Sequence, residues 1–455
     1  MNKKKIKIFT IIFCFLLNFN ANAEEIKYQK TRVLTLIDIL EMALENNPKV
    51  KEAWLNIDVS KYSYRTEFSD YFPDITGEID YSKTKSDYKN NTADARSEYV
   101  YPSINLSYLL FDFGGRESSI NSFKYKLEAT KFETNDYVQS FMYSVIEAYY
   151  NLFSSIASER AAKETESSSY EAFKAAKMRY KIGLAPLTDK LQAETSYMQE
   201  KLAREKAENE VKIKKAELNY LLNLTPTTEL NLSAPLLSIP NKDFTESIEN
   251  LLERAVKNRP DLKAYYETKK AKKSEIYNAK SEWLPSISLT SSYGRINDME
   301  RNSHTDRDTY NVGVTATMPF FTGGSIYNNV AKTKSELKII DTQINDLEKS
   351  IELDVWTAYQ NFLTAKKTYI TSESLLKSAR ETEKTMFGKY KNGKSSILDL
   401  LDAQSDLASA RYEFISAQHN WFITRANLVK VLGEMSVEEL SYLSTVTSSN
   451  NNRKK

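Results

Sequence analysis

Residues 337–362 read LKIIDTQINDLEKSIELDVWTAYQNF. Leu337, Ile340, Ile344, Leu347, Ile351, Val355, Ala358 and Phe362 recur there in steps of three and four, the beat of a helix that packs along another helix. The run sits inside residues 325–387, which contain neither Gly nor Pro, and three more segments free of both occupy 116–182, 187–225 and 394–432. With only 11 Gly and 10 Pro in 455 residues, this spacing of the breakers predicts four long helices. At about 1.5 Å per residue the longer two would span about 95–100 Å, more than the core of a compact domain could cover. A second stripe, Leu127, Thr134, Val138, Phe141, Val145, Ala148 and Leu152, keeps the same beat.

The chain also repeats itself. NNPKVKEAWL at 46 answers NRPDLKAYYE at 258, and SDYFPDI at 69 answers SEWLPSI at 281. FDFGG at 111 pairs with FFTGG at 320, AYYN at 148 with AYQN at 358, and YKIG at 180 with YKNG at 390. The segments expected are a first repeat over 24–224, a linker over 225–250, a second repeat over 251–433 and a polar C-terminal tail over 434–455.

Between the Pro of YFPD or WLPS and the double Gly, the period changes from helical to alternating. Ile75, Gly77, Ile79 and Tyr81 alternate with polar residues, as do Ile104, Leu106, Tyr108 and, in the second copy, Ile287, Leu289, Tyr293, Tyr310, Val312 and Val314. Each repeat is expected to hold one β-hairpin, about 74–111 and about 286–320, with polar loops over 84–98 and 294–309 facing water. Strands of about ten residues, apolar on one face and ringed by aromatics, fit a membrane barrel; a soluble antiparallel sheet shows the same alternation. Four strands cannot close a barrel, so several chains must pool them.

Residues 1–23 are expected to be a secretory signal: Lys3, Lys4, Lys5 and Lys7, an apolar run from Ile8 to Leu17, then Ala21-Asn22-Ala23. Cys14 lies inside it, preceded by Phe13 rather than by the small residue that lipid attachment needs. Removing those four lysines from 63 basic residues against 61 acidic ones leaves a net charge of minus 2, which gives no reason to expect nucleic acid. With no other Cys and only His304 and His419, a transition-metal site, a cofactor, or a thiol or Ser-His mechanism lacks material. An enzyme is not expected.

One motif, LENNPKVKEA at 44, and three pairs, YFPDI with WLPSI, LLFDFGGR with MPFFTGGS, and YKIGLAPLTDKLQAE with YKNGKSSILDLLDAQ, together resemble the TolC family of outer-membrane efflux proteins, in its non-lipidated branch. The likeness covers nearly all of the chain after the signal. It implies a mainly α fold with a small β part: a long α-helical barrel of coiled-coil-like helices in the periplasm, plus a transmembrane β-barrel formed by four strands per chain in a homotrimer. The linker and the tail would form an equatorial belt. The partners implied are outer-membrane lipid, a periplasmic adaptor (membrane fusion) protein and an inner-membrane pump of RND, ABC or MFS type. The location implied is the outer membrane of a Gram-negative bacterium, and the function is passage of substrate from the pump to the outside.

The resemblance also assigns residues. Asp399 and Asp402 would line the pore constriction at the periplasmic tip, three positions apart on one helix face, so that three chains present six carboxylates. Asp399 three residues after Ser396 equally reads as an N-terminal cap, which leaves Asp402 unexplained. Tyr390 with Thr188 and Asp189 would link the repeats when the tip is closed. The position of the family's linking Arg is Ser395 here, with Lys394 or Lys190 as candidates to replace it. Gly183 and Gly393 end long helices and would mark the tips that meet the adaptor, while serving as left-handed caps. Two other functions fit the same pattern: a type I protein-secretion channel, and a coiled-coil surface scaffold.

Overall fold

The computed structural model describes residues 33–86, 95–235, 237, 239, 246–299 and 306–436. The expected signal lies outside the described residues, as do most of the tail and parts of the linker and of both strand-joining loops.

The elements run α1 (Leu36–Asn46), α2 (Pro48–Phe68), β1 (Asp74–Ser86), β2 (Ala95–Phe111), α3 (Gly115–Lys181) and α4 (Leu187–Leu221). They continue with α5 (Ile248–Asn258), α6 (Pro260–Ser281), β3 (Ser286–Asp298), β4 (Arg307–Thr317), α7 (Ser325–Lys391) and α8 (Ile397–Val431). The second six repeat the order of the first. Helices α3 and α7 have 67 residues each, and α4 and α8 have 35 each.

Local chemistry sets the breaks. Asn47 stops α1 before Pro48, accepts the Lys49 N–H at 2.9 Å to start α2, and donates its side-chain amide to the Leu221 carbonyl at the far end of α4, 3.0 Å away. In the second repeat Arg259 stands at the matching place, pairing with Asp261 and, at 2.9 Å, with Asp354 on α7. Buried Asn219 donates to the carbonyls of Thr225, Pro226 and Thr228, which folds the chain leaving α4 into a tight turn.

The four strands form one antiparallel sheet in the order β1-β2-β3-β4. Near the sheet α3 packs between α2 and α6, and α6 packs on α7; farther away α3 packs between α4 and α8, and α8 packs on α7. The chain is thus four elements wide at every level. Its two edges are unlike: β1, α2 and α4 form one, β4 and α7 the other. Short α1 and α5 lie against α3 and α7 midway, where Ile39, Leu40, Leu218 and Leu222 pack with Val145 and Ile146, and Leu251 and Leu262 pack with Ile351 and Val355.

The register sorts the sheet into two faces. Ile75, Ile79 and Tyr81 share one face with Val100, Ile104, Leu106, Leu289, Tyr293, Tyr310, Val312 and Val314. Asp74, Thr76, Glu78, Ser103, Asn105, Ser107, Thr290, Ser292, Thr309 and Asn311 share the other. Tyr293 pairs with Tyr310 at one end of the apolar band, and exposed Phe72, Phe111, Trp283, Phe320 and Phe321 cluster at the other. The β2–β3 ladder skips Tyr101 and Pro102, where proline has no N–H to give.

The strands are longer than the pattern of apolar residues suggested, reaching Ser86 and Asp298 and starting again at Ala95 and Arg307. Glu98, read as loop, is a cross-strand partner instead. Lys83 pairs with Glu98 at 2.8 Å, and the Tyr81 hydroxyl donates to Glu98 at 2.9 Å.

The chain leaving α8 is pinned to both halves. Glu434 pairs with Arg254 and accepts from Asn258, while the Gln139 side chain donates to the Gly433 carbonyl and accepts from the Met435 N–H. Gly433 has φ +71°, and a Cβ there would lie 2.7 Å from the Arg259 Cα, a backbone atom that cannot swing away. Gly183 has φ +77° with open space around it. Gly183→Ala is therefore expected to cost about 1–2 kcal/mol, the left-handed penalty alone, and Gly433→Ala about 2–4 kcal/mol with the clash added. Thermal unfolding followed by circular dichroism should place Gly433→Ala clearly below Gly183→Ala.

Candidate functional site

The end of the molecule farthest from the sheet is two helix-turn-helix tips, α3–α4 and α7–α8. Each is closed the same way. The Leu184 N–H donates to the Arg179 carbonyl at 2.8 Å and the Gly183 N–H to the Tyr180 carbonyl at 3.0 Å; in the second tip Lys394 donates to Lys389 and Gly393 to Tyr390 at the same distances. Gly183 and Gly393 both have positive φ, +77° and +71°, the left-handed cap that this double bond requires. Helix α7 runs through Gly388 to Lys391, three residues past that glycine, because a glycine inside a packed helix weakens it without ending it.

One small core joins the four helices at the tips. Ala172 and Ala176 of α3, Ala193 of α4, Tyr390 of α7, and Ile397 and Leu400 of α8 are all buried together. Small side chains let the two hairpins approach closely, so the polar residues around them are held at fixed positions.

Ser396 opens α8 with a reciprocal cap: its hydroxyl accepts the Asp399 N–H at 3.1 Å, and Asp399 Oδ2 accepts the Ser396 N–H at 2.9 Å. These bonds to Ser396 hold the Asp399 carboxyl below the usual carboxylate range. Among the described residues Asp402 has no such partner, and it is exposed. Leu400, Ala403 and Leu407 take the buried side of α8, which leaves Asp399, Asp402 and Asp406 along one exposed stripe. Capping accounts for the first acid of the stripe and for neither of the others. Asp406, one turn farther on, is an acid the motif comparison did not single out.

Tyr390 is 2% exposed, wedged between the two hairpins. Burial, with Asp189 nearby, pushes its hydroxyl above the ordinary tyrosine value despite the opposing pull of Arg179. The structure brings Asp189 near Tyr390 without a hydrogen bond between them, and Thr188 stays exposed at the start of α4. Lys190 pairs with Glu194 on its own helix at 3.6 Å, and Lys394 is exposed. Neither lysine reaches Tyr390.

The cation that does is Arg179 of α3. Its guanidinium lies 5.3 Å from the Tyr390 ring centre, and Nη1 donates to the Tyr390 carbonyl at 3.2 Å. A search for an Arg at one expected spacing after Tyr390 could not have found it, because it comes from the other repeat, beside Tyr180 in the matching turn. Higher along the α3–α8 contact, Gln404 donates to the Ser168 carbonyl and Arg411 to the Thr165 hydroxyl.

No cluster of His, Cys, Asp or Glu among the described residues has the arrangement of a metal site. No helix among them is long and apolar enough to cross a membrane, which bears only on helices.

Comparison with known proteins follows the same outline. The Outer membrane efflux protein family matches residues 39–224 and 251–434. The outer membrane efflux protein BepC of Brucella suis biovar 1 is 22% identical over 412 residues, which are 89% of this chain and 87% of BepC. The outer membrane protein TolC of Escherichia coli strain K12 is 21% identical over 434 residues, 91% of this chain and 85% of TolC. Among solved structures, the Campylobacter jejuni CmeC outer membrane channel matches with a TM-score of 0.77 at 19% identity, covering 90% of this chain and 89% of that one.

The two acids should separate by experiment. Asp399→Ala removes half of the reciprocal cap, and amide exchange at Ser396 and through the first turn of α8 should quicken; Asp402→Ala should leave it unchanged. Because the Asp399 carboxyl titrates below its ordinary range, the cap is intact above that range and is lost as the pH falls through the lowered value. Hydrogen exchange across a pH series reads both effects.

Proposed function

The chain belongs to the Outer membrane efflux protein family, and on that footing we propose that it is the outer-membrane channel of a tripartite export system, passing substrate from an inner-membrane pump across the periplasm to the outside. The observation that carries the reading is the slab with two unlike edges. In hydrocarbon an unpaired strand edge is not tolerated, so β1 and β4 must each find a partner. Joining the β1 edge of one copy to the β4 edge of the next is a head-to-tail contact, and such contacts close into a ring when the rotation between copies divides the circle. Three copies give twelve strands with the apolar band outward and the hydroxyl-rich face inward. They also give twelve helices at every level below, so the sheet and the helices close together.

Exposed apolar stripes on the outer helices support the same closure. Leu55, Val59 and Tyr62 line α2 in steps of four and three, and Ile339, Leu353, Trp356 and Ile370 are exposed on α7. Left to water in a single protomer, these side chains favour burial between copies.

The tip is the proposed gate. Asp399 and Asp402 of three chains would surround one axis with six carboxylates, and Asp406 would extend the ring deeper. Crowded carboxylates attract cations and repel anions. Tyr390, with Asp189 and Thr188 from the other repeat, belongs to the closure of this gate. The turns at Gly183 and Gly393 are the proposed contacts for a periplasmic adaptor protein. The segment that folds against α1 and α5 midway is the proposed equatorial belt.

Two measurements test this. In planar bilayers the double variant Asp399→Ala with Asp402→Ala should show a higher single-channel conductance, weaker cation preference and weaker block by multivalent cations; unchanged conductance and selectivity would remove the gate assignment. Val59→Asp places a charge where the ring reading buries a side chain, and heat-resistant trimers on unheated gels should be lost. Trimers that persist would mean the α2 edge is not an interface.

A further inference from the structure

The gate reading requires the two halves of the chain to hold each other at the tip, and what holds them can be read from the contacts. We propose that Arg179 is the fastener: its guanidinium clamps the ring and the backbone carbonyl of Tyr390, and the Tyr390 hydroxyl takes no part. The proposal rests on the gate reading for its consequence and on the geometry of one protomer for its substance.

The Tyr390 carbonyl sits at the C-terminal end of α7, where the last carbonyls lack helical partners and carry the negative end of the helix dipole. It accepts the Gly393 N–H at 3.0 Å within its own turn, and Arg179 Nη1 supplies a second donor at 3.2 Å from the opposite repeat. Arg179 therefore caps a helix to which it does not belong. The same guanidinium lies over the Tyr390 ring, where a cation is attracted to the π face. Gly393 lies beside it: a Cβ there would make ordinary contact with Arg179 Nη1 and Nη2, both 3.5 Å away, so the glycine answers to its positive φ and not to the guanidinium.

The hydroxyl is a different matter. It is buried and finds no hydrogen-bond partner among the described residues. With Tyr390 only 2% exposed, a neighbouring copy could not reach it either. Thr188 is exposed, Lys190 is engaged by Glu194, and Lys394 points to solvent, so none of them competes for Tyr390. Arg179 Nε is likewise buried without a partner, which leaves the side chain held through its Nη atoms and the ring. Lysine could not reproduce this, since an ammonium lacks the flat fork that stacks and donates at once.

The test compares Arg179→Ala, Arg179→Lys and Tyr390→Phe in the full-length assembled protein by hydrogen exchange with mass spectrometry. Peptides over 176–186 and 388–398 should exchange roughly ten- to a hundredfold faster in Arg179→Ala, the factor expected from losing one charge-assisted hydrogen bond. Arg179→Lys should fall between it and the parent, and Tyr390→Phe should match the parent. Parent-like exchange in Arg179→Ala overturns the proposal, as does a Tyr390→Phe variant that loosens as much as Arg179→Ala. Planar-bilayer conductance of the same variants separates the two readings. A conductance that rises with Arg179→Ala joins fastener and gate, whereas faster exchange at unchanged conductance upholds the fastener and removes the gate.

Discussion

A strand edge in hydrocarbon has nowhere to send its N–H and C=O groups except to another strand, since water is absent and each orphan group costs several kcal/mol. That constraint organises the whole chain. Four strands with one apolar face leave β1 and β4 open, and the helices beneath follow the same left-to-right order, so whatever closes the sheet closes the helices with it. On the proposed reading one polypeptide is a segment of a wall, and the wall would enclose something only when the segments meet.

The two repeats start from one pattern and diverge where their surroundings differ. Tyr180 and Tyr390 occupy the same place in YKIG and YKNG, yet the first is largely exposed and the second is buried between the hairpins. Leu187 begins α4 after Pro186 with no side-chain cap, whereas Ile397 begins α8 after the reciprocal Ser396–Asp399 cap. The first tip exposes Ile182, Leu184 and Leu187, and the second exposes Lys391, Asn392 and Lys394. Lys181 and Lys391 are exposed in both tips, so the difference lies in the turns themselves: Ile182 and Leu184 in the first stand where Asn392 and Lys394 stand in the second, on nearly the same backbone.

The helical framework was legible because it is written in spacing. Neither Gly nor Pro interrupts 116–182 or 394–432, and the steps of three and four hold across each stripe. The sheet was legible as alternation, but its ends were not, because Lys83, Glu98 and Arg295 look like loop until a partner strand is supplied. Gly388 misled for a related reason: it does not turn the chain to positive φ as Gly393 does, and packing against α8 carried α7 on to Lys391. Asp399 and Asp402 share a helix face by arithmetic, which any sequence shows. Arg179 against Tyr390 depends on how one hairpin lies across another, and no local pattern encodes that distance.

Rigidity is unevenly distributed along this wall. Midway, Arg254 with Glu246 and Glu434, and Arg259 with Asp261 and Asp354, tie the second repeat together, while Gln139 binds the chain leaving α8 to α3. At the tip the contact between halves is a small core of Ala172, Ala176, Ala193, Tyr390, Ile397 and Leu400, with one arginine, Arg179, laid over the tyrosine. Among the buried side-chain atoms without partners, Arg179 Nε, the Tyr390 hydroxyl and Gln404 Oε1 all lie along it. Each such atom costs the closed arrangement about 1–3 kcal/mol that a solvated one would regain. Asn219 Oδ1 and Trp421 Nε1 are orphaned midway as well, but there ion pairs bind the surrounding segments, so on the proposed gate reading the tip is where the halves would part. On the proposed gate reading, helices of 67 residues would turn a small rearrangement at one end into an opening, with no change needed in the sheet at the other.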